Sequence, residues 1–342
     1  MVEAHTLDAW TRAADRSTPA FRNLTILGGL AAPLFLWLAG IAAVLSAGAA
    51  ARRTGSRRAA AAALCRRGLE IFVLAFLFRL QAFVLSPGSP PIALLKVDIL
   101  NIMGPALAAT GLVWGIAGGR GVGTAAFGAI GTTIAMATPV VRAAEWVSVL
   151  PRWVQWYVRP ASEQTTFTMF PWCGFVFAGA AAGMLIAEAR DVRVENRVQV
   201  ALGVAGGVLI ATGFYTASLP SIHRFSSFWT SSPSFFAIRV GILLVTLSMA
   251  YWIQQVVPTS EVLLAPLERL GRYSLFVYWI HVELVYGYAS WPMHRSLRLW
   301  QTAAANALFS LLLYGAVVLR TRGVELWRAR PSVPSSPGSA SV

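Results

Sequence analysis

The chain has 342 residues, of which 56% are hydrophobic and only 12% charged, with a formal net charge of +14. Soluble domains carry about 25% charged residues, so this composition excludes an ordinary soluble domain and points to lipid. The positive charge is almost all arginine, Lys96 being the only lysine, and it lies in short clusters between apolar runs. Charge flanks membrane spans in this way; a nucleic-acid-binding face is not built so.

The chain opens MVEAHTLDAW, and residues 1–23 contain no apolar stretch of the kind a signal peptide needs. Glu3, His5 and Asp8 fall within the first eight positions. A histidine can take and return a proton near neutral pH, and a neighbouring carboxylate can set its tautomer. Asp8 follows His5 by three residues, so on a helix the two share a face, whereas Glu3 does not. The plainer account is a hydrated tail with incidental polar residues.

About nine runs follow, each close to the 20 residues that cross a bilayer as a helix. In outline they are 24–49, 60–84, 96–117, 121–140, 166–187, 198–218, 234–255, 272–290 and 299–320. The alternation of a barrel strand is absent, so the predicted fold is all-α, a polytopic transmembrane helix bundle. The run 121–140 is the weakest, rich in Gly and Thr, and is open to being bent or re-entrant. The glycine-rich GGRGVG before it (118–123) reads as a short loop.

Arginines orient the set. Arg52, Arg53, Arg57 and Arg58 follow the first run, Arg193 and Arg197 the fifth, Arg269 and Arg272 precede the eighth, and Arg320 and Arg322 follow the last. Alternating spans put all of these on one side, which the arginine bias makes cytoplasmic. The chain then divides into an extracytoplasmic segment (1–23), a membrane domain (24–320) and a cytoplasmic tail (321–342). That tail ends in the low-complexity PSVPSSPGSASV, expected to be disordered. With nothing before residues 1–23 to carry them across, the expectation is a truncated additional N-terminal span, of which MVEAH is the outer end. Trp153, Trp156, Trp172, Trp229 and Trp291 fall toward the outer face, where an interfacial aromatic belt is the first explanation and sugar stacking the second.

Ionisable groups inside spans are functional candidates by default, because each is costly in hydrocarbon. In KVDILNIMGPAL, Asp98 and Asn101 are three apart; Asp98 either orients a histidine from another helix or pairs with Lys96, Arg79 or Arg239. In FTMFPWCGFVFAGAAAGML, Pro171-Trp172 can start or bend a helix, and Gly174, Ala178, Gly179, Ala182 and Gly183 suit close helix packing. In LERLGRYSLFVYWIHVELVYG, Tyr278 and His281 share a face, while His281 and Glu283 point apart and must each find a partner elsewhere. P-loop, serine-hydrolase and zincin motifs are missing, and no metal is predicted.

Taken in order, MVEAHTLDAW, ILGGLAAPLFLWLAGIAAVLS, VDILNIMGPAL, FPWCGFVFAGAAAGM and LGRYSLFVYWIHVELVYG resemble bacterial relatives of lysosomal heparan-α-glucosaminide N-acetyltransferase. They are similar, more loosely, to acyltransferase-3 proteins, and the resemblance runs over about 290 residues. It implies transfer of acetyl from cytoplasmic acetyl-CoA to an amino sugar or other glycan or small-molecule acceptor across the bacterial inner membrane. It also implies a catalytic histidine near the first helix, a place only His5 can fill, since the next histidine is His223. The acyltransferase-3 pattern sets an arginine before that histidine, and this chain has none there; in the lysosomal branch the histidine sits in the following loop. The implied catalytic set is His5, as base or transient acyl carrier, with Asp8 or Asp98 orienting it, and Asn101, Tyr278, His281 and Glu283 as oxyanion donors or supports. Arg66, Arg67, Arg269 and Arg272 are placed for the phosphates of acetyl-CoA. The rival class is a proton-coupled transporter or flippase, with His281, Glu283 and Arg239 in its pathway. The acceptor and the oligomeric state are left open, a homo-oligomer included.

Overall fold

The computed structural model describes residues 1–328 apart from 86–87, 188, 190 and 258–259, and it is helical almost throughout. Fourteen α-helices are seen among the described residues. They are α1 (Val2–Trp10), α2 (Pro19–Gly28), α3 (Ala31–Thr54), α4 (Arg57–Leu85), α5 (Ile99–Ile116), α6 (Arg120–Ala143) and α7 (Arg152–Val158). They continue as α8 (Met169–Ile186), α9 (Val192–Ser218), α10 (Phe228–Ser231), α11 (Pro233–Val256), α12 (Ser260–Arg272), α13 (Ser274–Tyr286) and α14 (Leu299–Arg328). Among the described residues, eight helical stretches are long and apolar enough to cross a membrane: Pro19–Thr54, α4, α5, α6, α8, α9, α11 and Leu299–Glu325.

The protein is therefore an all-α integral membrane protein, with three departures from the expected spans. The run 121–140 lies within one continuous 24-residue helix, α6, rather than a re-entrant turn; only Gly118-Gly119 of the glycine-rich stretch stays outside it. The run 272–290 yields α13, of 13 residues, which at 1.5 Å per residue reaches about 20 Å and falls short of a 30 Å hydrocarbon core. The last helix does not stop at 320 but continues to Arg328, so the expected tail begins as helix, and its residues 329–342 lie outside those described.

The chain forms two compact units, Met1–Arg22 with Thr259–Val342, and Asn23–Pro258. In the second unit the helices pair as α3 with α8, α4 with α5, α6 with α8, and α9 with α11. Small residues make these approaches close, which is what membrane helices need when no hydrophobic effect drives them together. A Cβ on Gly40 would overlap the Val176 carbonyl, one on Gly179 the Trp37 carbonyl, and Gly206 and Gly241 face each other's backbone in the same way. Gly179→Leu is accordingly expected to lower the unfolding midpoint of the purified protein in detergent by the equivalent of about 1–3 kcal/mol or more. Gly207→Ala, whose added methyl meets nothing within 4 Å, should leave that midpoint unchanged or raise it.

Helix ends follow ordinary capping chemistry. α3 closes on Gly55 in the left-handed region (φ 67°) with Arg52 and Arg53 in its last turn, where the carbonyl end of the dipole favours cations. α5 starts from a capping box: the Asp98 carboxylate accepts from the Ile99 amide at 2.7 Å, and Asn101 Oδ1 accepts from the Asp98 amide at 2.9 Å. Thr168 precedes α8, and Phe170 is still non-helical, so the regular helix begins at Pro171, as the Pro-Trp pair led us to expect. Arg142 near the end of α6 fixes this start by donating to Thr168 Oγ1 and the Phe170 carbonyl, both at 2.6 Å.

In the first unit, the segment after α1 runs alongside the approach to α14. The amides of Arg12 and Leu297 donate to Leu297 and Trp10 carbonyls at 2.9 and 3.0 Å. Trp10 is buried with Ala9 and Val285, packed by Leu297 and Phe309. Asp15 accepts from Arg12 Nε at 2.9 Å and from the Leu299 amide at 2.8 Å, so it caps α14 from a distance of 284 residues in sequence. The Arg12 hydrogen bond, helped by the Leu299 amide, holds the Asp15 carboxyl below the usual carboxylate range. A depressed carboxyl stabilises above its unfolded value, and that contribution is lost as pH falls through the folded one.

Candidate active site

α1 is a true helix from Val2 to Trp10, so His5 and Asp8 lie on one face of it, as their spacing requires. They are joined through a residue from the other end of the chain. His5 Nδ1 is 3.1 Å from the Tyr286 hydroxyl, and that hydroxyl donates to Asp8 Oδ2 at 3.0 Å. A carboxylate only accepts, so the phenolic hydrogen goes to Asp8 and the phenolic oxygen accepts from His5 Nδ1–H. The neutral imidazole of His5 then carries its lone pair on Nε2, the tautomer a general base requires. Arg16 completes the chain of contacts: it donates to the Asp8 main-chain carbonyl and pairs with Asp8 Oδ1 at 3.4 Å.

His281 lies beside His5, with ring centroids 5.2 Å apart. It is only 1% exposed, and its Nδ1 is 2.7 Å from the Val277 carbonyl one turn earlier on α13. That carbonyl must accept, so Nδ1 bears the hydrogen and Nε2 the lone pair; Nε2 is buried with no hydrogen-bond partner among the described residues. In its neutral form His281 thus presents an acceptor, and the donor role expected of it needs the imidazolium. Tyr278 stands edge-on to His281 at 5.6 Å and is itself buried. Glu283 follows on the same helix, half-buried. The site grades from the exposed Asp8 and Tyr286 to the enclosed His281.

The other sequence candidates have partners of their own. Asp98 and Asn101 belong to the second unit, where both are committed to the α5 cap. The second carboxylate oxygen of Asp98 pairs with Arg79 at 2.5 Å, the plainer of the two readings of that aspartate. Asn101 Nδ2 donates to the Tyr157 hydroxyl at 3.3 Å. Lys96, just before this cap, has its ammonium pushed below the usual lysine value by burial first and by Arg79 second. Arg66 and Arg67 are exposed on α4 and pair with Glu70 at 3.7 and 3.2 Å. On α12, Arg272 pairs with Glu268 at 2.6 Å and Arg269 is exposed. Exposed pairs of this kind contribute little to stability, so these arginines can exchange partners at small cost. Arg239 lies over the rings of Phe235 and Trp172, at 4.0 and 5.8 Å.

A family model described as "Heparan-alpha-glucosaminide N-acetyltransferase, catalytic" matches residues 1–214, more than half of the chain. The chain belongs to this family. A second model, described as "OpgC protein", matches residues 125–323. No match is found among curated proteins or among solved structures. The protein is thus a member of a membrane acyltransferase family, and the two matches divide its site. His5 and Asp8 fall in the acetyltransferase match, and Tyr278, His281 and Tyr286 in the other.

Tyr286 and Arg16 were not singled out in the sequence. Tyr286 ends α13 next to Gly287, and nothing in its spacing from His281 distinguishes it from the other aromatics of VYWIHVELVYGY. Its role depends on α1 lying against α13, a long-range contact that no local pattern encodes.

Proposed function

We propose that this acyltransferase moves an acetyl group from cytoplasmic acetyl-CoA to an extracytoplasmic amino sugar or other glycan or small-molecule acceptor, with His5 as general base. The observation that carries the reading is the His5–Tyr286–Asp8 chain in a member of this family. The thioester is already activated, so catalysis needs a base for the acceptor and donors for the oxyanion. His5 Nε2 removes a proton from the acceptor amine or hydroxyl as that atom bonds to the thioester carbonyl carbon. The imidazolium so formed is stabilised through Tyr286 by the Asp8 carboxylate. The tetrahedral intermediate collapses with cleavage of the carbon–sulfur bond, and the proton passes from His5 to the departing thiolate. His281 supplies the second nitrogen beside His5, an acceptor for a hydrogen on the incoming group. Arg269 and Arg272, which precede α13 in the same unit as His5, face the cytoplasm of an inner-membrane protein and meet the CoA phosphates by charge-assisted hydrogen bonds.

The test uses purified protein in nanodiscs with acetyl-CoA, scoring free thiol release with and without amino-sugar acceptors. Tyr286→Phe keeps the ring and removes the hydroxyl that links His5 to Asp8. Loss of a hydrogen bond to a charged group is worth about 1.5–3 kcal/mol, so turnover should fall about 10- to 100-fold with acetyl-CoA affinity unchanged. Absence of acetyl-CoA binding in the unaltered protein would overturn the donor; unchanged turnover in Tyr286→Phe would overturn the relay.

A further inference from the structure

The second unit has a partly open cavity of ≈ 680 Å³ between α6, α8, α9 and α11, all four of them candidate membrane spans. Its walls are aliphatic or small: Ala135 on α6, Ala182 on α8, Leu202 and Leu209 on α9, Val240 on α11. No Asp, Glu, Lys or Arg lines it among the described residues. One end is different. There Thr216 and Ser234 hydroxyls meet at 2.8 Å, and the loop between α9 and α10 brings Ser221, His223 and Ser226 to the lining. That loop fixes the His223 backbone, whose carbonyl accepts from the Ser226 amide at 3.2 Å and from Ser221 Oγ at 2.9 Å. His223 Nε2 is nevertheless buried without a hydrogen-bond partner among the described residues.

Each of these features restricts the occupant. Water gains nothing from aliphatic walls that offer it no partners, and such walls left uncovered forfeit dispersion contacts. What fills it comes from the hydrocarbon around the helices. From Leu202 to Thr216 the α9 wall runs about 21 Å at 1.5 Å per residue, the scale of a lipid tail. A buried imidazole nitrogen without a partner is costly, and an ester carbonyl or hydroxyl at the head of such a tail removes that cost.

We propose that this cavity is a binding site for a single acyl chain, with the glycerol ester or hydroxyl at its head held by His223. The acyl-glycerol chemistry is common to two sources, a phospholipid whose phosphate projects beyond the serine cluster and a free monoacylglycerol. The site is independent of the acyl transfer proposed above.

Gly128 makes the test clean, because it borders the cavity and an added Cβ meets no heavy atom within 4 Å. Gly128→Phe should fill the site without moving backbone; Ala205→Phe does the same from α9 if that variant fails to fold. Full-length protein in nanodiscs is labelled with photoactivatable monopalmitoylglycerol or with phosphatidylcholine bearing the same chain, and labelled peptides are mapped. Labelling is expected on the 128–136 and 202–216 peptides, falling about tenfold or more in the filled variants and several-fold in His223→Ala, with unfolding midpoints unchanged. Labelling by the monoacylglycerol alone identifies a free acylglycerol as ligand; labelling by phosphatidylcholine, alone or with it, identifies the bilayer as the source. Labelling that persists in the filled variants is annular lipid only and overturns the site. Loss in the filled variants with none in His223→Ala overturns the assignment of the head.

Discussion

His5→Ala is expected to lower acetyl transfer by about 10²–10⁴-fold, the range a positioned general base contributes, while acetyl-CoA still binds. The tautomer of His5 is set by Tyr286 and Asp8, and no other described side chain takes over a role so oriented. His281, 5.2 Å away, is the nearest substitute, yet its free Nε2 is buried and its ring has no carboxylate relay like that of His5 among the described residues. His5→Gln separates two explanations. Glutamine can keep a polar contact to Tyr286 but cannot take the proton, so it should be as inactive as alanine with the fold intact. Activity in His5→Ala within a few-fold of the unaltered protein would remove His5 from the chemistry. A pH–rate profile adds a second readout: with His5 as base, the unaltered protein should show an acid limb that is missing from the residual activity of the variants.

Breaking the Arg79–Asp98 pair is expected to be the most damaging single change to stability. Their side chains are 14% and 12% exposed and 2.5 Å apart. Asp98→Asn keeps a good N-cap, since Asn and Asp are about equal there, but it strands the Arg79 guanidinium. Leaving one buried charge uncompensated costs about 3–5 kcal/mol, and the unfolding midpoint in detergent should fall accordingly. Adding Arg79→Met to Asp98→Asn removes the stranded charge and should recover most of the loss. That is a non-additivity which an unfolding double-mutant cycle measures directly. Simple addition of the two single losses would show that the pair is not the source of the effect. Asp98 thus serves the α5 cap and the Arg79 pair, and the orientation of His5 is met within the first unit by Tyr286 and Asp8.

Much was legible in the linear sequence because it depends on composition and short spacing. Apolar runs and arginine clusters announced an all-α membrane protein; His5 and Asp8 sit three apart on a helix that does form; Tyr278 and His281 do share a face. Gly179 and Gly183 lie where the small-residue pattern of α8 placed close packing, against Trp37 and Ile41 of α3. Each of these follows from backbone periodicity, which every residue carries locally. Tertiary structure decided the rest. It brought Tyr286 between His5 and Asp8 across some 280 residues, gave Asp98 to Arg79, and made α6 continuous where glycine content suggested a bend. It also oriented His281 so that its buried Nε2 accepts rather than donates. A hydrogen bond between distant residues depends on how helices pack, and packing is settled by which small residues meet which backbone, a property of the whole fold.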